Sequence, residues 1–286
     1  MDWSKAKTIL IIVFLVLNIF LGGNLWLKSS AKSDITIVSA NEIDEAKKIL
    51  KQEGIIVKAD IPKKVSPQPF LTVSYTKING EKTALSFFGE LEEVEIFNDE
   101  DNITYQKGDR QLIIMDKGII SYFDNEDSEI IYSDLNKEKA EKIAYEFIEE
   151  HVGFPQNAVH DRTVFYDQSD SYLVEYIQLH NGTYISSSCI DVLVTPGGVK
   201  SYYCAWIDPL GYSGKPKKII SSVHALFQIV DVFAKNEDDI IVTDIQPGYY
   251  SRQYNAEKWH AVPSWRIKTN EGDTYYINGY TGELEQ

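Results

Sequence analysis

The chain begins with a long apolar run. Thr8 to Leu27 (TILIIVFLVLNIFLGGNLWL) holds no charged side chain over 20 positions. At ~1.5 Å per residue, a helix of this length covers ~30 Å, the thickness of a bilayer's hydrocarbon core. Trp3 and Trp26 stand near its ends, where amphipathic rings anchor at the headgroup level. Lys5 and Lys7 precede the run and favour a cytoplasmic N-terminus, an asymmetry that Lys28 and Lys32 weaken. Residues 1–7 then form a cytoplasmic tail, 8–27 a transmembrane helix and 28–34 a linker. The alternative is a cleaved signal peptide, with Ser29-Ser30-Ala31 as its processing site, although such peptides carry a shorter apolar core of ~7–15 residues. Asn18 lies mid-segment, and Ile11, Phe14 and Gly22 share its helical face. A polar side chain in lipid seeks a partner, and a small residue lets another backbone approach. This face is the candidate contact with another membrane helix. The simpler alternative is an Asn bonded back to its own helix.

Beyond residue 34 the period alternates between helix and strand. Asn41–Glu53 carries Ile43, Ala46 and Leu50 at helical spacing, with Asn41 as a plausible N-cap. Leu71–Ile78 and Thr83–Leu91 flank Asn79-Gly80, which predicts a hairpin. Strand patterns continue at Val94–Phe97, Ile103–Gln106, Gln111–Asp116 and Ile119–Asp124. A second helix is predicted over Lys137–His151, where Ala140, Ile143, Ala144, Phe147 and Ile148 recur at helical intervals. Strands follow at Val164–Asp167, Tyr172–Leu179, Thr183–Thr195 and Val199–Ile207. A third helix spans about Ser222–Ala234, and the last strands are Ile240–Tyr250, Ser264–Thr269, Thr274–Gly279 and one near Glu283. A helix followed by an antiparallel meander thus recurs from near residues 41, 136 and 221. This predicts an α+β fold of antiparallel sheets, each packed by a helix. The expected domains are 35–134 and 135–286, the latter built from two such units.

The only cysteines are Cys189 and Cys204. If Thr195-Pro196-Gly197-Gly198 is the loop of a hairpin and Val194 pairs with Val199, the two cysteines face each other at disulfide distance. Two buried thiols are the alternative, and a one-residue slip of register separates the two outcomes.

Charge and motifs narrow the function. The net charge is -15, and the first thirty residues are positive, so the remainder is more acidic still. Such a surface repels phosphate backbones, and nucleic acid is a poor partner. No His pair has metal-ligand spacing. His160-Asp161 is an isolated hint of metal-dependent hydrolysis without a supporting cluster. Gly211-Tyr212-Ser213-Gly214-Lys215 departs from the phosphate-loop spacing, Pro216 stands where Ser or Thr is required, and the segment reads as a turn. No catalytic, cofactor or metal residue emerges. Trp206, Trp259 and Trp265 are candidates for a ligand groove or interface, or for ordinary core.

The opening MDWSKAKTILIIVFLVLNIFL (Met1–Leu21) resembles the start of the YycI (WalI) family, through Asp-Trp-Ser-Lys, the Lys-Thr-Ile that leads into lipid and Leu17–Leu21. The closing runs Val262–Ile267 and Thr274–Glu285 resemble PepSY-like modules, in which a strand pair ends in a Tyr-Thr-Gly turn. The resemblance to the YycI family implies a non-catalytic membrane protein without cofactor. It would act beside a YycH-like sister protein on a WalK-like sensor histidine kinase that governs cell-wall metabolism, through transmembrane helices and outer domains. A PepSY-like module that binds a wall ligand, peptide or protease is the alternative, and an extracellular hydrolase a more distant one.

Overall fold

The structure is a computed structural model. It describes Phe14, Leu17, Asn18, Leu21 and residues 35–126, 129–233, 239–252, 254 and 256–285. The chain divides into two compact units, Met1–Ile35 and Thr36–Gln286. In the first, Phe14, Leu17, Asn18 and Leu21 are helical and exposed. Trp3, Ile11, Gly22 and Trp26 lie outside the described residues. Among the described residues, no helix is long and apolar enough to cross a membrane.

The second unit is mixed α+β and mostly sheet. Its elements are β1 (Thr36–Ile37), α1 (Ala40–Gln52), β2 (Ile55–Val57), β3 (Lys64–Val65), β4 (Gln68–Tyr75), α2 (Gly80–Phe88), β5 (Glu95–Asn98), β6 (Asn102–Lys107), β7 (Arg110–Met115) and β8 (Ile119–Asp124). They continue as α3 (Lys137–His151), β9 (Ala158–Tyr166), a 3₁₀ turn (Asp167–Ser169), β10 (Ser171–His180), β11 (Thr183–Thr195), β12 (Gly198–Ala205) and β13 (Ile207–Lys217). The last are α4 (Ser222–Gln228), α5 (Val230–Phe233), β14 (Ile240–Tyr250), β15 (Trp259–Thr269), β16 (Thr274–Asn278) and β17 (Leu284–Glu285).

Local chemistry explains the helices. In α3, Ala140, Ala144 and Ile148 are fully buried at four-residue intervals, and Asn136 caps the first turn by accepting from the Lys139 N–H at 3.0 Å. In α1, the cap is Ser39 rather than Asn41. Its Oγ accepts from Glu42 N at 3.3 Å while Glu42 Oε2 accepts from Ser39 N at 2.7 Å, a reciprocal capping box.

The hairpin expected around Asn79-Gly80 is absent, because the second half is helix α2. Ala84, Phe87 and Phe88 recur at helical spacing and are buried. Asn79 serves as N-cap, with Oδ1 accepting from Lys82 N at 3.0 Å, and Gly89 ends the helix at φ +78. The tertiary core settles a stretch whose local signals allowed either state. The expected turn at Gly211–Lys215 is likewise part of strand β13, which pairs with β4 through register shifts.

The expected division at 134/135 does not describe the packing either, because strands of both halves interleave. β2 pairs in parallel with β14, β8 pairs with β12, and β4 lies between β13 and β15. One core joins α1, β2 and α4 to β14–β16, with Leu50, Ile55, Leu226, Trp265 and Ile277 essentially excluded from water. A second sets α2 and α3 against β6–β8 and β10–β12, around Ala84, Ala144, Leu112, Val192 and Tyr202. A smaller third gathers Leu71, Val73, Ile207, Trp259 and Ala261. The first and third expected helices therefore share one core.

Candidate functional site

The cysteines are free. The hairpin pairs Val194 with Val199 as expected, but a bulge between Leu193 and Val194 shifts every later pair by one. Cys189 therefore lies opposite Ala205, and Cys204 opposite Ile190. One residue of shift sends the side chains to opposite faces. Cys204 joins the core beside Tyr202, and Cys189 lines a polar pocket. Burial pushes both thiols up, that of Cys204 to about 11.

Of the tryptophans, Trp265 is wholly buried and donates Nε1–H to Ile220 O at 3.0 Å, while Trp259 donates to Ser251 and packs on Tyr75. Trp206 packs against the second core. All three are packing residues. His160 and Asp161, neighbours in sequence, serve different places. His160 Nε2 meets Thr163 Oγ1 at 2.8 Å and lies 3.4 Å from Glu141, on an exposed surface. Between β9 and β10 the register shifts, so that Arg162 faces Glu175 and His160 faces Tyr176. Asp161 is the extra residue of this bulge, a device that re-aims a side chain.

Asp161 turns toward β15. There it accepts from Arg266 Nη2 through both oxygens and lies 2.6 Å from Lys268 Nζ. Arg266 is only 2% exposed, and its guanidinium stacks over the Tyr184 ring at 5.0 Å. Arg162 pairs with Glu175, its Nη2 at 2.9 Å from Oε1, and also donates to Gly272 O in the β15–β16 turn. These bonds tie β9–β10 to β15–β16. They border an open pocket of about 290 Å³ lined also by Ser186, Cys189, Asp191 and Tyr276.

The carboxyls inside behave differently. Burial opposes ionisation of Asp161, but Arg266 and Lys268 together outweigh it and hold the group below its usual range. For Asp191 burial wins over the attraction of Arg162, and the carboxyl is raised to about 6. No hydrogen bond from the described residues reaches Asp191, and the Ser186 hydroxyl also lacks one. Asp161 stands out in the sequence only beside His160, as a hint of metal chemistry, and no motif marks Arg162, Glu175, Asp191, Arg266 or Lys268. The available signal was charge inside apolar strands, as in Cys-Ile-Asp-Val-Leu-Val (Cys189–Val194) and Trp-Arg-Ile-Lys (Trp265–Lys268). Elsewhere the surface offers β5, an outermost strand whose Ile96 and Phe97 are each about half exposed amid acidic residues.

The family model described as YycI protein matches residues 34–280. The chain belongs to the YycI family. Membership implies a regulatory accessory protein of the WalK–WalR two-component system. Among solved structures, the crystal structure of an uncharacterized protein from Eubacterium rectale ATCC 33656 is similar, with a TM-score of 0.52 and 12% identity over 82% of this chain and 91% of that one. At that identity the likeness is one of fold. No curated protein matches. Within the YycI match, the Tyr-Thr-Gly turn is built by Asn278, whose Oδ1 accepts from Tyr280 N at 2.9 Å and Thr281 N at 3.2 Å. Gly279 is required there, since a Cβ would stand 2.7 Å from Pro263 O.

Proposed function

We propose that this YycI protein is a non-catalytic regulator tethered in the cell membrane by residues 8–27, with its N-terminus cytoplasmic and Thr36–Gln286 outside. It binds a WalK-like sensor histidine kinase together with a YycH-like sister protein and modulates signalling for cell-wall metabolism. The observation that carries this reading is the family match over residues 34–280. The uncharged run before it supplies a membrane tether. The half-exposed Ile96 and Phe97 on an outermost strand support a protein partner for the outer unit.

Regulation of this kind needs only a difference in contact energy between two states of the kinase, ~1–3 kcal/mol for a typical coupling. The face of Ile11, Phe14, Asn18 and Gly22 supplies part of it inside the bilayer, and Trp3 and Trp26 set the depth of the helix. The test replaces Asn18 and Gly22 together with Leu in the full-length chain. Co-purification of kinase and sister protein from solubilised membranes should fall, and target-gene output should change. Unaltered co-purification and output would reject this face as the contact.

A further inference from the structure

We propose that the pocket between β9–β11 and β15–β16 binds a small zwitterion, a primary ammonium and a carboxylate on one carbon, the size of an unbranched α-amino acid. The pocket's charges are separated rather than simply balanced. Asp161 answers two cations, Arg266 and Lys268, so that group carries a net positive charge. Glu175 and Arg162 cancel. Asp191 and the exposed Asp273, which also lines the pocket, are left as the negative end, and no hydrogen bond from the described residues reaches Asp191. Ser186, nine-tenths buried, lines the same pocket with a hydroxyl that has no partner.

Buried polar groups in folded proteins are nearly always hydrogen-bonded. Ser186 is such a buried group without a partner, and beside it the half-buried Asp191 carboxylate accepts from no described residue, so the two suit a ligand that donates and accepts. An ammonium fits Asp191, and a carboxylate fits the Nη1 and Nε side of Arg266, since Asp161 takes only Nη2. A metal ion fits worse, since the oxygens of Asp161 and Glu175 are occupied by cationic partners. Among the described residues, no three His, Cys, Asp or Glu are placed to hold one. The volume, about 290 Å³, lies at the small end of the ~300–1,000 Å³ typical of ligand pockets. Tyr276, stacked on Tyr250 at 4.5 Å, and Cys189 also line it.

The proposal does not rest on the kinase contact, so its failure would leave the regulatory reading intact. The test is calorimetric titration of the full-length chain in detergent with glycine, L-alanine and D-alanine, beside ethylamine and propionate. At least one zwitterion should bind saturably, and more tightly than either single-charge probe. Asp191→Asn should weaken it by ~10-fold or more and Ser186→Ala by a few-fold. Absence of saturable binding by every zwitterion at millimolar concentration would overturn the proposal. So would unchanged affinity in both variants, or equal binding of ethylamine or propionate, which would mean a site with one charged end.

Discussion

Replacing Asp191 with Asn should stabilise this protein, and the gain should depend on pH. Asp191 ordinarily titrates at 3.8 and in the fold titrates at about 6, raised chiefly by burial. A raised carboxyl binds its proton more tightly in the folded than in the unfolded chain. Its contribution is therefore complete below the ordinary value and is lost as pH climbs through the folded one. A displacement from 3.8 to about 6 corresponds to about 3 kcal/mol once both states are ionised. The pocket opens to water, which screens part of this, so the expected gap is ~1–3 kcal/mol. Asn keeps the shape and cannot ionise. Urea unfolding of the full-length chain and the variant in the same detergent, at pH 4 and pH 8, isolates the effect, because the other carboxyls cancel in the difference. The variant should be more stable at pH 8 and nearly equal at pH 4, with most of the change between about pH 4 and 6. A gap independent of pH, or a less stable variant at pH 8, would mean that burial does not hold the Asp191 proton in the fold.

Other consequences concern the surrounding frame. Arg266→Ala leaves Asp161 buried with Lys268 alone, and should cost ~3 kcal/mol or more in the same unfolding assay; a loss below ~1 kcal/mol would mean the ion pair is idle. Gly279→Ala should lower stability by ~1–3 kcal/mol, since the new methyl meets Pro263 O; an unaltered midpoint would show that the turn yields. The intact mass should be the same before and after reduction, because Cys189 and Cys204 lie on opposite faces; a gain of two hydrogens on reduction would establish a disulfide.

Much of the fold can be read directly from period. Lys137–His151, Ile119–Asp124 and Thr183–Thr195 coincide with observed elements because each has a single consistent period and clear stops. Gly80–Phe88 could not be settled locally. Asn79-Gly80 is both a hairpin turn and a helix start, and the choice belongs to the second core that buries Phe87 and Phe88. The cysteine register failed at one residue, because a bulge at Leu193–Val194 leaves little trace in the residues themselves. Interleaving was hidden for a similar reason, since pairing of β2 with β14 joins residues 185 positions apart by backbone bonds. The ionic pocket draws on five strands, β9, β10, β11, β15 and β16, so no spacing rule gathers its members. Only the lone Asp and the Arg-x-Lys inside apolar runs betray it.

The most direct test of the regulatory account places a photo-crosslinking amino acid at position 18 of the full-length chain, in living cells. A covalent product with the sensor kinase or the sister protein should be recovered from the membrane fraction and be lost when Gly22 becomes Leu. Recovery of the mature chain from the medium without its first thirty residues would contradict it, because no helix would remain in the bilayer to make that contact.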